Sequence, residues 1–182
     1  MGTKGRRLVH KTNTYEEPEL ISKISDVERL VSEQQLVDVN GNPDLEAIAK
    51  QYGITIHRED LPSLQSGYLR HSLEEGWVIG VNRKHPKARQ RFTIAHELGH
   101  YVMHRNDNGS TEFEDEIFFR ATNMSPIEYA ANAFAVTLLM PDARVLNAIN
   151  GGERNLSALA EKFAVSLEAM KYKVESLGYM VQ

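Results

Sequence analysis

Two histidines four residues apart inside an apolar run constrain this chain more than any other feature. The segment His96-Glu97-Leu98-Gly99-His100 fits the H-E-x-x-H pattern. Phe92, Ile94, Ala95, Leu98, Val102 and Met103 surround it, which predicts a largely buried helix. Side chains at i and i+4 stack on one helix face, so both imidazoles can reach a single metal ion. Glu97 sits one residue round from the first histidine, within reach of a water on that ion. This is the zinc-hydrolase arrangement: two nitrogen ligands, an open position for water, and a carboxylate to take its proton. The alternative is a pair of core histidines satisfied by backbone carbonyls. Burying two imidazoles and a carboxylate carries a heavy desolvation cost unless something compensates them, and a cation does so.

A two-histidine site needs a third protein ligand. Residues 126–141 offer one. Ser125 and Pro126 open a helix with a hydroxyl cap followed by proline in the first turn. Glu128 is the only charged residue between there and Pro141. Asn132 lies one turn further along the same face, where its carbonyl can accept the free N–H of a ligand histidine. Two other readings stay open. Glu128 can act only as a charge favouring the helix N-terminus. Glu112, Glu114, Asp115 and Glu116, in the polar stretch 105–124, are rival ligands, although they lie in no helical frame and read as a solvated face. Phe118 and Phe119 are expected to anchor that stretch. His104 falls one turn beyond His100. A straight helix cannot bring three such histidines to one ion, because they span about 12 Å of rise.

Composition narrows the chemistry further. The chain has 182 residues, 41% of them hydrophobic, a net charge of −4 and no cysteine. That suits one domain with a real core and a small appendage. Without thiolates a metal must be held by His, Asp or Glu. The acidic balance, with pI near 6.0, argues against a general nucleic-acid coat or a membrane-surface binder. No apolar run reaches membrane-spanning length and the N-terminus has no signal-type h-region, so the expected compartment is the cytosol.

Residues 1–20 combine Lys4, Arg6, Arg7 and Lys11 with Glu16, Glu17 and Glu19 and read as a flexible tail. Ile24, Val27, Leu30, Val31 and Leu36 have helical spacing. Asn42-Pro43-Asp44 starts a second helix that ends at Gly53. Short strands are expected at 54–56, 66–70 and 77–81, the last two separated by the turn-like Glu74-Glu75-Gly76. A helix over 142–149 meets a break at Asn150-Gly151-Gly152. Beyond it, Leu156, Leu159, Ala160, Phe163, Val165, Met170, Val174 and Leu177 predict helix, tight turn, helix. Lys171 and Lys173 on the second of these are offset by Glu168 and Glu175, and residues 153–182 hold four basic and four acidic residues. Zero net charge is poor footing for phosphate contact.

Residues 89–104, followed by Glu128-x-x-Ala131-Asn132-x-Phe134-Ala135-x-x-Leu138-Leu139-Met140-Pro141, resemble the ImmA/IrrE metallopeptidases. The strand at 78–82 and the segment 159–166 also resemble that family, and the likeness covers roughly residues 25–178. It implies a zincin-type fold with zinc ligands at His96, His100 and Glu128 and Glu97 as catalytic base. It implies a substrate class too, the helix-turn-helix transcriptional repressors of phage, mobile elements or stress responses. By the same resemblance, residues 77–82 would form a strand edge that pairs with an extended peptide; the alternative reading of these residues is a plain core hairpin. Many relatives carry a second acidic residue directly after the ligand glutamate, where this chain has Tyr129 and Ala130.

The expected fold is therefore α+β: a flexible tail (1–20), a zincin-like metallopeptidase domain with a small sheet (21–150), and a helical, helix-turn-helix-like module (151–182). The expected function is cleavage of a repressor protein by an endopeptidase holding one Zn2+ per chain, with no membrane partner and no specific DNA binding. His104, Tyr101 and Arg70 are candidates to stabilise the oxyanion. Two other classes compete: a non-proteolytic regulatory or toxin-antitoxin component that keeps a zincin fold, and a DNA-binding regulator acting through residues 153–178.

Overall fold

The computed structural model describes residues 17–104 and 126–179. Residues 1–16 of the expected tail and the acidic stretch with Glu112, Glu114, Asp115 and Glu116 lie outside the described residues, as do Phe118, Phe119 and the side chain of His104. The chain order is α1 (Glu17–Glu33), α2 (Leu45–Gln51), β1 (Ile54–Glu59), β2 (Gly67–Ser72), β3 (Gly76–Asn82), α3 (Lys87–His104), α4 (Pro126–Leu139), α5 (Asp142–Asn150), α6 (Leu156–Lys162) and α7 (Leu167–Ser176). The mixed α+β class is as expected. Residues 17–20, expected in the tail, are the first turn of α1. Leu36 falls outside α1, because Gln35 takes a left-handed backbone (φ 52°) just after the helix ends.

The sheet has three strands in the order β1-β3-β2. β1 pairs with β3 in parallel, from Ile54↔Trp77 to Glu59↔Asn82. β2 pairs with it in antiparallel, from Gly67↔Val81 to Ser72↔Gly76. β3 is thus central, and the expectation that residues 77–82 offer an edge to a peptide is wrong. Its backbone donors and acceptors are committed on both sides along its full length. The burial pattern agrees, with every residue from Trp77 to Asn82 buried, as befits a strand enclosed by neighbours.

One face of the sheet, carrying Ile54, Leu69, Trp77, Ile79 and Val81, enters a core shared with Ile24 and Val27 of α1, Leu45 and Ile48 of α2, and Ile94 and Leu98 of α3. Phe134 and Leu138 of α4, Leu159 of α6, Phe163 of the following turn, and Met170 and Val174 of α7 belong to the same apolar cluster. Asp44 caps α2 by accepting from the Ala47 N–H (3.0 Å), the role its position before the helix suggests.

Asn82 closes off the sheet toward α3. Its side-chain amide donates to the carbonyls of Leu61, Pro62 and Gln65 at 2.9–3.2 Å, holding the β1–β2 connection in place. Arg89 of α3 donates to the Ser66 hydroxyl at 2.8 Å. These contacts set the first half of α3 beside β2.

Candidate metal centre

α3 and α4 pack against each other more extensively than any other pair of helices, and the polar cluster lies between them. The helix over 87–104 forms because apolar residues recur on its inner side, with Ile94, Ala95 and Leu98 buried. That periodicity carries His96 and His100 inward with them. Both imidazoles are almost wholly enclosed, and so is the Glu97 carboxyl group. α4 starts at Pro126, which puts Glu128 in its first turn, partly exposed to solvent.

The three side chains converge. His100 Nε2 lies 2.9 Å from His96 Nε2. Glu128 Oε2 is 3.3 Å from His96 Nε2, and Oε1 is 3.2 Å from His100 Nε2. One ligand atom from each falls within 4.8 Å of the others, so His96, His100 and Glu128 could hold one metal ion. On the far side of its ring, His96 Nδ1 is 3.0 Å from Asn132 Oδ1. With the amide oxygen accepting the Nδ1 proton, the Nε2 lone pair is left facing the cluster.

The electrostatics favour a cation. Burial opposes protonation of His96, but the carboxylates of Glu128 and Glu97 outweigh it and raise its pKa above the ordinary value. The adjoining imidazoles of His100 and His96 hold the Glu128 carboxyl well below the usual carboxylate range. Two ring nitrogens at 2.9 Å cannot both carry protons toward each other without repulsion. A divalent ion between them and the carboxylate satisfies all three groups, and nitrogen and carboxylate donors without thiolate suit a borderline metal. The residues present therefore fit the group that the sequence pattern implies.

Two oxyanion candidates are engaged elsewhere. Tyr101 is buried against Trp77 and Tyr52, and its hydroxyl donates to the Tyr52 carbonyl at 3.1 Å. Arg70 pairs with Glu75 at 2.6 Å. Sequence reasoning missed Phe92, read there only as core. Its ring stacks on His96 with centroids 6.3 Å apart and planes at 27°, and the signal was its i−4 spacing from the histidine.

A peptidase family model, described as the IrrE N-terminal-like domain, matches residues 49–175. The chain belongs to the IrrE N-terminal-like metallopeptidase family. By family it is a metallopeptidase, a hydrolase of peptide bonds. It is 27% identical over 154 residues to the Metallopeptidase ImmA of Bacillus subtilis, covering 80% of this chain and 83% of that protein. It is 31% identical over 99 residues to the Radiation response metalloprotease IrrE of Deinococcus radiodurans, covering 52% of this chain and 30% of that protein. The match to IrrE thus spans under a third of the relative's length. The family match takes in all of β1 to α6, the His-His-Glu cluster and most of α7.

Proposed function

We propose that this chain is a zinc-dependent endopeptidase with a zincin-like core, its ion held by His96, His100 and Glu128. The observation that carries the proposal is the convergence of those three side chains, with Asn132 fixing the tautomer of His96. A zinc ion there would polarise the scissile carbonyl and acidify a water. Glu97, buried beside His96, takes the water proton on its carboxylate and later passes it to the leaving amine. Phe92 and Asn132 hold the His96 ring from its face and its edge. An extended peptide would lie along the outer edge of β2, which is unpaired among the described residues and flanks the first half of α3.

The substrate class, a helix-turn-helix repressor, follows from the resemblance of the long motifs. The working division is a peptidase domain over 21–150 and a helical module over 151–182, in a cytoplasmic protein. The test is cleavage of a purified partner repressor. Glu97→Gln should keep the fold and the metal while slowing cleavage by about 10²–10⁴-fold. Near-normal cleavage by that variant would reject the mechanism. Full repressor inactivation without cleavage would favour the non-proteolytic reading.

One observation supports the DNA-binding alternative: α6, a turn with Ala164 at φ 52°, and α7 form a helix-turn-helix. Against it, Lys173, one of the two basic residues available on α7, is buried and bound to Asp142.

A further inference from the structure

The helices that carry the cluster meet at a residue with no side chain. Gly99 lies between His96 and His100 on α3. A Cβ there would stand 3.1 Å from Phe134 Cδ1 and 3.2 Å from both the Cα and the carbonyl oxygen of Ala131. Two of these neighbours are α4 backbone, which no rotamer change can move, and the third belongs to a ring buried to 1% exposure. Ala131 is three residues on from Glu128 and adjacent to Asn132. The backbone that would have to yield therefore carries both the carboxylate and the amide that serve the cluster.

We propose that Gly99 is a positioning residue that fixes the α3–α4 separation at the level of the ligands, and so sets the size of the ion that His96, His100 and Glu128 accept. This rests on reading that cluster as the metal site. Contacts this tight require the neighbour to give by a few tenths of an ångström. Ligand distances in a metal site are held to about ±0.2 Å, so a displacement of that size is felt directly. Two ligands ride on α3 and one on α4. Moving α4 outward widens the gap between the histidine pair and Glu128 while leaving the pair itself intact. A widened site disfavours zinc, which needs its oxygen and nitrogen ligands at about 2.0–2.2 Å. It penalises cadmium less, because that ion has the same charge and a larger radius.

The experiment uses the full chain stripped of metal and titrated separately with Zn2+ and Cd2+ against a chromophoric chelator. Gly99→Ala should weaken zinc binding by roughly 10–100-fold, the range seen when the supports of metal ligands are disturbed, and cadmium binding much less. Alanine is the better helix former, so the metal-free variant should keep its circular dichroism. Gly99→Ala/Phe134→Leu removes the ring contact, keeps both backbone contacts, and should show the same shift in a less crowded core. Wild-type zinc affinity in both variants overturns the inference, as does loss of zinc and cadmium affinity in equal proportion. A wild-type chain that binds neither ion sinks the metal-site reading and this inference with it.

Discussion

Lys173 should tolerate replacement better than the residue that neutralises it. Its side chain, on α7, is 6% exposed and pairs with Asp142 on α5, whose side chain is 63% exposed. Asp142→Ala strips the counter-ion from an enclosed ammonium. Breaking a fully buried pair costs about 3–5 kcal/mol. Here the carboxylate side is open to water, which discounts the loss to roughly 1–3 kcal/mol. Asp142 also sits in the first turn of α5, where Pro141 supplies no side-chain cap, so losing its charge adds about 0.3–1 kcal/mol. Lys173→Met keeps the stem and removes the charge, which is often near neutral or stabilising. The assay is thermal unfolding of the metal-free chain, followed by circular dichroism. For a chain of this size, about 2 kcal/mol corresponds to roughly 4–8 °C. Asp142→Ala should therefore melt several degrees below wild type, Lys173→Met within a degree or two of it, and the double variant near Lys173→Met. If Lys173→Met melts as low as Asp142→Ala, or if the two losses simply add, an uncompensated buried charge is not the cause.

Glu128→Ala should empty the centre on elemental analysis, whereas neutralising Glu112, Glu114, Asp115 and Glu116 together should leave about one metal per chain; the reverse outcome moves the third ligand into that acidic stretch. The chain should give no specific mobility shift with duplex DNA at physiological salt, since zero net charge over 153–182 and a buried Lys173 leave little to meet phosphate; ending it near Asn150 should instead lower its melting temperature, because Leu159, Phe163, Met170 and Val174 belong to the common core.

The elements of the candidate centre were legible because each carries a local signal. The apolar period around His96 and His100 needs a buried helix, and Ser125-Pro126 marks where the next begins. Asn132 could be found from its spacing to Glu128. Sheet order was not legible in the same way, and only one thing local to residues 77–82 says that they are the central strand rather than an edge. The run Trp77 to Val81 lacks the alternation of a strand with one wet face. The strand ends were read short, because Arg58, Glu59 and His71 are polar although their backbones remain in the ladder. Gly99 and Lys173 escaped for a different reason. What each does depends on residues far along the chain, on Ala131 and Phe134 for one and on Asp142 for the other, and no spacing rule within a single helix points to them.

The strand order has a kinetic consequence. β3 is the last strand made, yet it lies between the two made earlier. Had β1 and β2 joined each other first, the slot for β3 would have been shut, and that pairing would have to break before the native sheet could assemble. Residues 73–75 guard against this. They join β2 to β3 by so short a loop that the hairpin can zip in about 1–10 μs. The parallel match of Ile54 to Trp77 must instead close a longer loop, which ordinarily makes it the slower event. The finished hairpin then offers β1 the free side of β3 as well as the outer edge of β2, and only the first sets Ile54 beside Trp77 in the common core.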